Sequence, residues 1–226
     1  MRKYFFKFKL AVMSLSILAF LSFPALAENY TFPGASGLYA TANIGFAEYD
    51  YDTTGWTDVD DSDTAYSVGF GYEFNKYIAV EAGWLDIGKT SASASGTLTG
   101  TLYGKPYTAT GTLTGEAETD GFYLGPIVSL PITEKFKAYA KIGVYFWDTD
   151  IEASASGTIT YDGTIYAGNA KVQQSESGED LYFGIGASYD IINNFTVRAD
   201  WTRYEVMNDD VDVFAVGVVF KFGKLF

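Results

Sequence analysis

Four charged side chains stand within otherwise apolar stretches of this chain: Glu81, Lys141, Arg198 and Asp200. If these stretches are β-strands, all four side chains share the face that carries glycine and small polar residues. Two acids and two bases can neutralise one another, and charges buried away from water need such partners. The pattern predicts an internal ion-pair network, either a structural plug or a switchable ion gate.

Composition argues against catalysis, because the chain contains no histidine. Lipid A acylases, phospholipases and surface proteases rely on a histidine general base, and no Ser–Lys or Asp pair here has a recognisable spacing. We therefore expect no enzyme activity and no cofactor. Asp58, Asp60, Asp61 and Asp63 offer oxygen ligands of the type that Ca²⁺ takes, but they lack an EF-hand pattern, so no metal site is predicted.

The first 27 residues have the pattern of a secretory signal peptide. A basic head precedes the uncharged run Leu10–Phe23, and an A-x-A site ends at Ala27. That run has 14 residues, too few to cross about 30 Å of hydrocarbon as a helix. We predict a signal peptide over 1–27, followed by a single exported domain over 28–226.

The chain beyond residue 27 is strongly acidic, with 28 acidic residues against 11 basic ones and a formal charge of −17. Such a chain does not bind nucleic acid through its phosphates. It also has no apolar run of 18 residues, so no transmembrane helix is expected. The 18 Tyr, 18 Phe and 24 Gly of the full chain favour a single β domain.

Alternating hydrophobicity marks eight strands. The clearest is the last, where Phe214, Val216, Val218, Phe220 and Phe222 fall on one face. The predicted strands are Leu38–Ala47, Ala65–Phe74, one beginning at Tyr77, Phe122–Leu130, Phe136–Trp147, Leu181–Ile191, Phe195–Tyr204 and Val211–Phe226.

The connections are predicted to alternate in length. Short turns follow strands two, four and six, and long acidic or Ser/Thr/Gly-rich segments follow one, three, five and seven, including the acidic loops 48–64 and 204–212. The related segments 85–121 and 148–180 are expected to form hairpins that turn near Gly104 and at Asp162-Gly163. Short turns on one side and long loops on the other are typical of an eight-stranded, antiparallel, up-and-down transmembrane β-barrel with short periplasmic turns and long extracellular β-hairpin loops. We therefore predict that residues 28–226 form one outer-membrane β-barrel domain.

The charged face is expected to point inward. A soluble barrel would instead enclose its apolar face, but a mid-strand Lys or Arg facing lipid costs roughly 2–4 kcal/mol, and aromatic residues occur at both ends of the apolar face, as in a membrane barrel. With eight strands the lumen holds only its own side chains, and inward glycines leave room for Tyr139, Tyr145, Trp147 and Tyr182.

Several segments resemble the outer membrane protein A (OmpA)-like eight-stranded transmembrane β-barrel family: GYEFNKYIAVEAGW (71–84), PITEKFKAYAKIG (131–143), VRADW (197–201) and VGVVFKFG (216–223). The resemblance implies a lumen ion-pair network, whose matching positions are Glu81, Lys141 and Arg198, with Asp200 as the next inward acid. The family's lumen lysine on the fourth strand is replaced here by Ile127. No periplasmic peptidoglycan-binding domain is expected, because the chain stops just past the eighth strand.

The function expected from these features is a non-enzymatic integral outer-membrane barrel of a Gram-negative bacterium, a monomer with a structural or surface-contact role. Its expected partners are outer-membrane lipid (lipopolysaccharide or phospholipid), surfaces outside the cell and, from the resemblance, the barrel-assembly machinery. The alternative is a narrow channel for ions or small solutes gated by the lumen charges.

Overall fold

The structure is a computed structural model that describes residues 37–50, 57–207 and 209–222, all within one compact unit, Gly34–Phe226. The predicted signal peptide over 1–27 lies outside the described residues. The strands are β1 (Leu38–Tyr49), β2 (Asp58–Asp60), β3 (Ser62–Glu73), β4 (Ile78–Leu102), β5 (Lys105–Pro131), β6 (Phe136–Tyr161), β7 (Thr164–Ile192), β8 (Phe195–Val206) and β9 (Asp209–Lys221). The described part of the chain has no helix that is long and apolar enough to span a bilayer.

Eight of the nine strands form a closed antiparallel ring. Neighbours in the chain pair with each other, β1 pairs with both β3 and β9, and the β4–β5 pairing completes the ring. Closure gives every strand a neighbour on both sides, which is what hydrocarbon demands of a backbone that cannot bond to water. The predicted eight-stranded barrel is confirmed, while β2 is an extra strand that pairs with β4 at Ser91–Ser93.

The two faces of the barrel wall are oriented as expected. Phe70 and Ile142 are exposed on the outside, whereas Glu81, only 3% exposed, points into the lumen. Trp84 and Trp201 lie toward the end where the long hairpins leave, and their indole N–H groups donate hydrogen bonds to Asp120 and Asp212. An amphipathic ring that ends at a charged acceptor is typical of the membrane–water interface.

The lumen is filled with side chains along its length. Its outer half holds a cluster of buried apolar and aromatic residues: Ala47, Tyr49, Ala65, Leu85, Ile87, Tyr123, Tyr145, Trp147, Tyr182, Tyr204, Val206, Val211 and Val213. A smaller cluster lies nearer the short turns: Tyr39, Ala79, Ile127, Tyr139 and Val219. The charged residues lie between these two apolar layers, because Glu81 is flanked along β4 by Ala79 and Leu85.

Four strands continue beyond the ring as one sheet. The β4–β5 hairpin turns at Tyr103-Gly104 and the β6–β7 hairpin at Asp162-Gly163, with positive φ at all four residues, as a two-residue type I′ turn requires. The prediction of hairpins is confirmed, and β5 pairs with β6 as far as Tyr107 and Tyr161. We call residues 88–119 and 148–177 the outer sheet. At its tip the Lys105 ammonium forms an ion pair with Asp162.

The predicted loop at 204–212 is wrong. Strand β8 runs on to Val206, β9 starts at Asp209, and Tyr204 pairs with Val211 across the ladder. The acids that suggested a solvated loop are instead bound by Arg203, whose guanidinium contacts Asp212 at 2.6 Å and Asp210 at 3.0 Å. Opposite charges across a strand pair stabilise the sheet, so only three of the connections are long.

The lipid-facing surface can be tested with two matched isoleucines on β7. Ile185 is 61% exposed on the barrel wall, and Ile165 is 69% exposed on the outer sheet. We expect Ile185→Arg to lower the free energy of unfolding by roughly 2–4 kcal/mol in lipid vesicles, because the charge meets hydrocarbon. Ile165→Arg places its charge in water and should leave the free energy of unfolding almost unchanged. Denaturant unfolding in vesicles measures both, and equal effects would place the membrane elsewhere.

Candidate functional site in the barrel lumen

The four residues singled out from the sequence lie on three strands and meet in the lumen. Glu81 comes from β4, Lys141 from β6, and Arg198 and Asp200 from β8. None of these strands neighbours another in the ring, so the side chains reach one another across the interior. We call these four residues the lumen network.

The centre of the lumen network is the pair Glu81 and Arg198. The guanidinium donates two parallel hydrogen bonds, from Nη1 to Oε2 at 2.7 Å and from Nη2 to Oε1 at 3.0 Å. The hydroxyls of Tyr39 and Tyr123 each donate a further bond of 3.0 Å to the same carboxylate. A bidentate pair of this kind fixes the orientation of both side chains.

Asp200 forms the second half of the network. Its carboxylate accepts hydrogen bonds from Lys141 Nζ at 2.5 Å, from the Tyr139 hydroxyl at 2.8 Å and from the Thr202 hydroxyl at 3.1 Å. Arg198 Nε lies 3.9 Å from Asp200 Oδ2 and donates to Asn43 Oδ1 at 2.8 Å. Each buried charge therefore has an opposite charge and additional polar partners, which is the condition for keeping it ionised in a low dielectric.

Glycines opposite the tyrosines make room for this arrangement. A methyl group added at Gly71 would overlap the ring of Tyr39, and one added at Gly186 would overlap that of Tyr139. The sequence predicts that inward glycines leave space for aromatic residues, but it does not single out Tyr39 and Tyr123. The signal that could have found them is an inward tyrosine directly across the ladder from an inward glycine, as Tyr39 is from Gly71.

A second charged group lies near the short turns and was not predicted as a group. Glu73 is 3.2 Å from Lys221 Nζ and 3.6 Å from Lys137 Nζ, and Lys221 also lies 3.7 Å from Asp190. These side chains are only partly buried. They form a charged rim beneath the smaller apolar cluster.

The lumen network holds its charges in pairs and leaves little space for solvent. A cavity of about 20 Å³ lies beside Asn43, Lys141, Arg198, Asp200 and Thr202, enough for about one water molecule. Ile127, where the resemblance gives a lysine, packs in the smaller apolar cluster, so the network has no third cation. Within the described ranges no group of three or more His, Cys, Asp or Glu could hold a metal ion.

A closed ring with lipid-facing apolar residues and a paired charged interior defines a transmembrane β-barrel. The model of the OmpA-like transmembrane domain matches residues 33–225. The chain therefore belongs to the OmpA-like transmembrane domain family and is an outer-membrane β-barrel protein.

Three solved structures are similar to this chain. The attachment invasion locus protein Ail of Yersinia pestis, in complex with the heparin analogue sucrose octasulfate, is 15% identical; the match covers 82% of this chain and 99% of that chain, with a TM-score of 0.45. OprG of Pseudomonas aeruginosa is 14% identical, with 83% and 96% covered and a TM-score of 0.46. Neisserial surface protein A is 14% identical, with 83% and 98% covered and a TM-score of 0.44. A comparison with curated proteins gave no match.

The coupling within the lumen network can be measured by a double-mutant cycle. We expect Arg198→Ala and Glu81→Ala each to lower the free energy of unfolding by about 3–5 kcal/mol, because each leaves an unpaired buried charge. The double variant should lose much less than the sum, since it leaves neither charge behind. Denaturant unfolding in vesicles gives all three values.

The matched control for this cycle is the exposed pair Lys89 and Glu116 on the outer sheet, whose charges are 2.5 Å apart. Water screens that pair, so Lys89→Ala and Glu116→Ala should have far smaller effects and little coupling. Additive losses at Glu81 and Arg198 would contradict the network.

Proposed function

We propose that this protein is a non-enzymatic barrel that reinforces the outer membrane and makes contacts at the cell surface through its outer sheet. The main support for this proposal is the contrast between the barrel lumen and the outer sheet. The lumen is closed by side chains, while four strands continue outside it. The β6 segment from Asp148 to Tyr161 extends about 45 Å at the usual strand rise.

The filled lumen supports a structural role over the alternative of a gated channel. An ion crossing the barrel would have to separate the pair of Glu81 and Arg198 and then pass the outer apolar cluster, where Tyr145 is fully buried. Moving one side chain of the network therefore leaves the path blocked. The cost of carrying an unpaired charge through an apolar layer is several kcal/mol.

The outer sheet supports a surface-contact role because its ladder pairing is continuous. Its hydrophilic face carries rows of serine and threonine, with ion pairs nearer the barrel such as Lys171 with Glu152 at 2.6 Å. Hydrogen bonds from Lys171 and Gln173 lower the pKa of Glu152 below its usual value, and the bond to Glu116 raises the pKa of Lys89. A preorganised surface loses less conformational entropy on binding than a mobile loop does.

The setting proposed for the barrel follows from the same features. A signal peptide over residues 1–27 would export the chain, the barrel-assembly machinery would insert it, and lipopolysaccharide or phospholipid would surround the apolar wall. The barrel acts as a monomer within its own membrane, and its acidic charge excludes nucleic acid as a partner.

The surface-contact role is tested by removing the outer sheet. Replacing residues 91–116 and 151–174 by Asn-Gly turns should leave a folded barrel, because the deleted parts lie beyond the ring. Cells carrying the shortened protein should lose the attachment to other cells, host matrix and abiotic surfaces that the full chain confers. Heat-modifiable gel mobility and membrane fractionation confirm folding and location, and unchanged attachment by the shortened protein would refute the proposal.

The channel alternative is tested by recording from the purified barrel in planar bilayers. We expect no steady conductance from the wild-type protein, and none from Glu81→Ala, because the outer apolar cluster still closes the lumen. Steady wild-type conductance that changes in Glu81→Ala would support the gated channel instead. Incubation with labelled lipid A or a peptide library, with no turnover expected, checks the absence of enzyme activity.

A further inference from the structure

The outer sheet has two faces of opposite character. Beyond the barrel, β5, β6 and β7 continue in register without a bulge, so the face continuous with the lumen wall can be followed to the tip. One register shift, between Asp86 and Gly88, brings β4 into the same arrangement. On this face the five residue rows from Ala92 to Gly100 contain no charged side chain, whereas the opposite face carries Ser, Thr, Lys171 and Glu152.

This uncharged face, which we call the apolar face, is exposed. Leu98 and Val172 are each 64% exposed and Tyr166 is 58% exposed. Serine and threonine suffice to solvate a sheet, as they do on the opposite face, so solvation does not require the apolar residues of this face. An apolar patch of several hundred Å² on an exported protein marks a contact surface.

The relief of the apolar face consists of a ridge beside a groove. Ladder pairing aligns one glycine from each strand into a groove across the sheet: Gly96, Gly111, Gly157 and Gly168. The next row toward the tip forms the ridge: Leu98, Ala109, Ile159 and Tyr166. A depression of about 660 Å³ follows the groove beside the ridge, and a methyl group added at Gly96 or Gly168 would meet nothing within 4 Å.

We propose, building on the surface-contact role, that the apolar face docks onto the same face of a second copy of this chain presented by an opposing membrane. A two-fold axis that runs parallel to the residue rows, midway between ridge and groove, places the ridge of each copy over the groove of the other. Tyr166 then fits against Gly168 of the partner subunit, and Leu98 against Gly96 of the partner subunit. Sheets packed face to face lie about 10 Å apart with aligned strands, and a two-fold contact of this kind is self-complementary.

The same relief excludes pairing within one membrane. Two copies side by side would be related by an axis along the strands, which sets ridge against ridge. In each copy the barrel also lies on the side to which the apolar face points. Two copies in one membrane that paired through this face would therefore place their barrels in the same space. Only copies that point toward each other satisfy both conditions. Strand rise from Asp148 to the axis near Thr158 then sets the two barrel mouths about 70 Å apart along the strands, and less along the membrane normal because barrel strands are tilted.

The size of the contact indicates that one pair of copies binds weakly and that many pairs together bind strongly. Four strands about 4.8 Å apart and eight residues of about 3.4 Å rise give about 500 Å² per copy, so a pair buries about 1,000 Å², the lower limit for a specific interface. Many such contacts between two membranes act together through avidity. The partner is therefore a second copy of this chain on a neighbouring cell.

Vesicle clustering tests this pairing with the full chain reconstituted in pure phospholipid. Vesicles that carry the protein should cluster with one another, with a gap of at most about 70 Å by electron cryo-microscopy, and should not cluster with protein-free vesicles. Ile159→Asp should lower the clustering rate by about tenfold or more, because the two-fold axis buries the change twice. Thr158→Asp, one residue away on the opposite face, is the matched control and should cluster like the wild type.

A ridge-groove exchange gives the sharper test. The variant with Gly96→Leu, Leu98→Gly, Tyr166→Gly and Gly168→Tyr should cluster with itself but not with wild-type vesicles, because two ridges then collide. Clustering of Ile159→Asp at the wild-type rate, or equal clustering with protein-free vesicles, would overturn the pairing. If wild-type vesicles stay apart while cells still lose attachment when the outer sheet is removed, this inference fails and the surface-contact role stands.

Discussion

Hydrocarbon offers no hydrogen-bond partner to a peptide group, and this constraint determines most of the structure. Every strand that crosses the membrane must pair on both sides, so the sheet closes into a ring. A ring of eight strands encloses a space only wide enough for side chains. Apolar residues then face lipid, and the charges of the same strands have only one another to pair with, as Glu81 does with Arg198.

The lumen and the outer sheet are two consequences of one strand pattern. Along β6 the alternation of side chains continues from the barrel into water without a break in register. Inside the ring the inward face meets the opposite wall and forms the buried clusters around Tyr145. Thr149 on this face is still buried, but farther along the strand there is no opposite wall, and the face is left open with Ile159 exposed. The barrel thus explains both the plugged interior and the exposed apolar face.

The sequence predicted the ring, the hairpins and the inward face because these depend on a period of two that any strand shows. It also singled out Glu81, Lys141, Arg198 and Asp200 from their position among apolar neighbours, and these four side chains meet in the lumen. It missed Tyr39 and Tyr123 as hydrogen-bond donors to Glu81, because these contacts depend on the register between neighbouring strands, which the alternation of side chains does not determine. It wrongly predicted a loop at 204–212, since only the folded ladder shows that Arg203 binds Asp210 and Asp212.

The orientation of the barrel wall is measured most directly by a cysteine scan along β6 from residue 138 to residue 160, in a chain that has no native cysteine. An environment-sensitive fluorophore at each position would be challenged with quencher-bearing lipids in vesicles. We expect quenching at even positions from Ala138 to Phe146, none at odd positions, and none beyond Asp150. Quenching at odd positions, or an alternation that continues to residue 160, would contradict it.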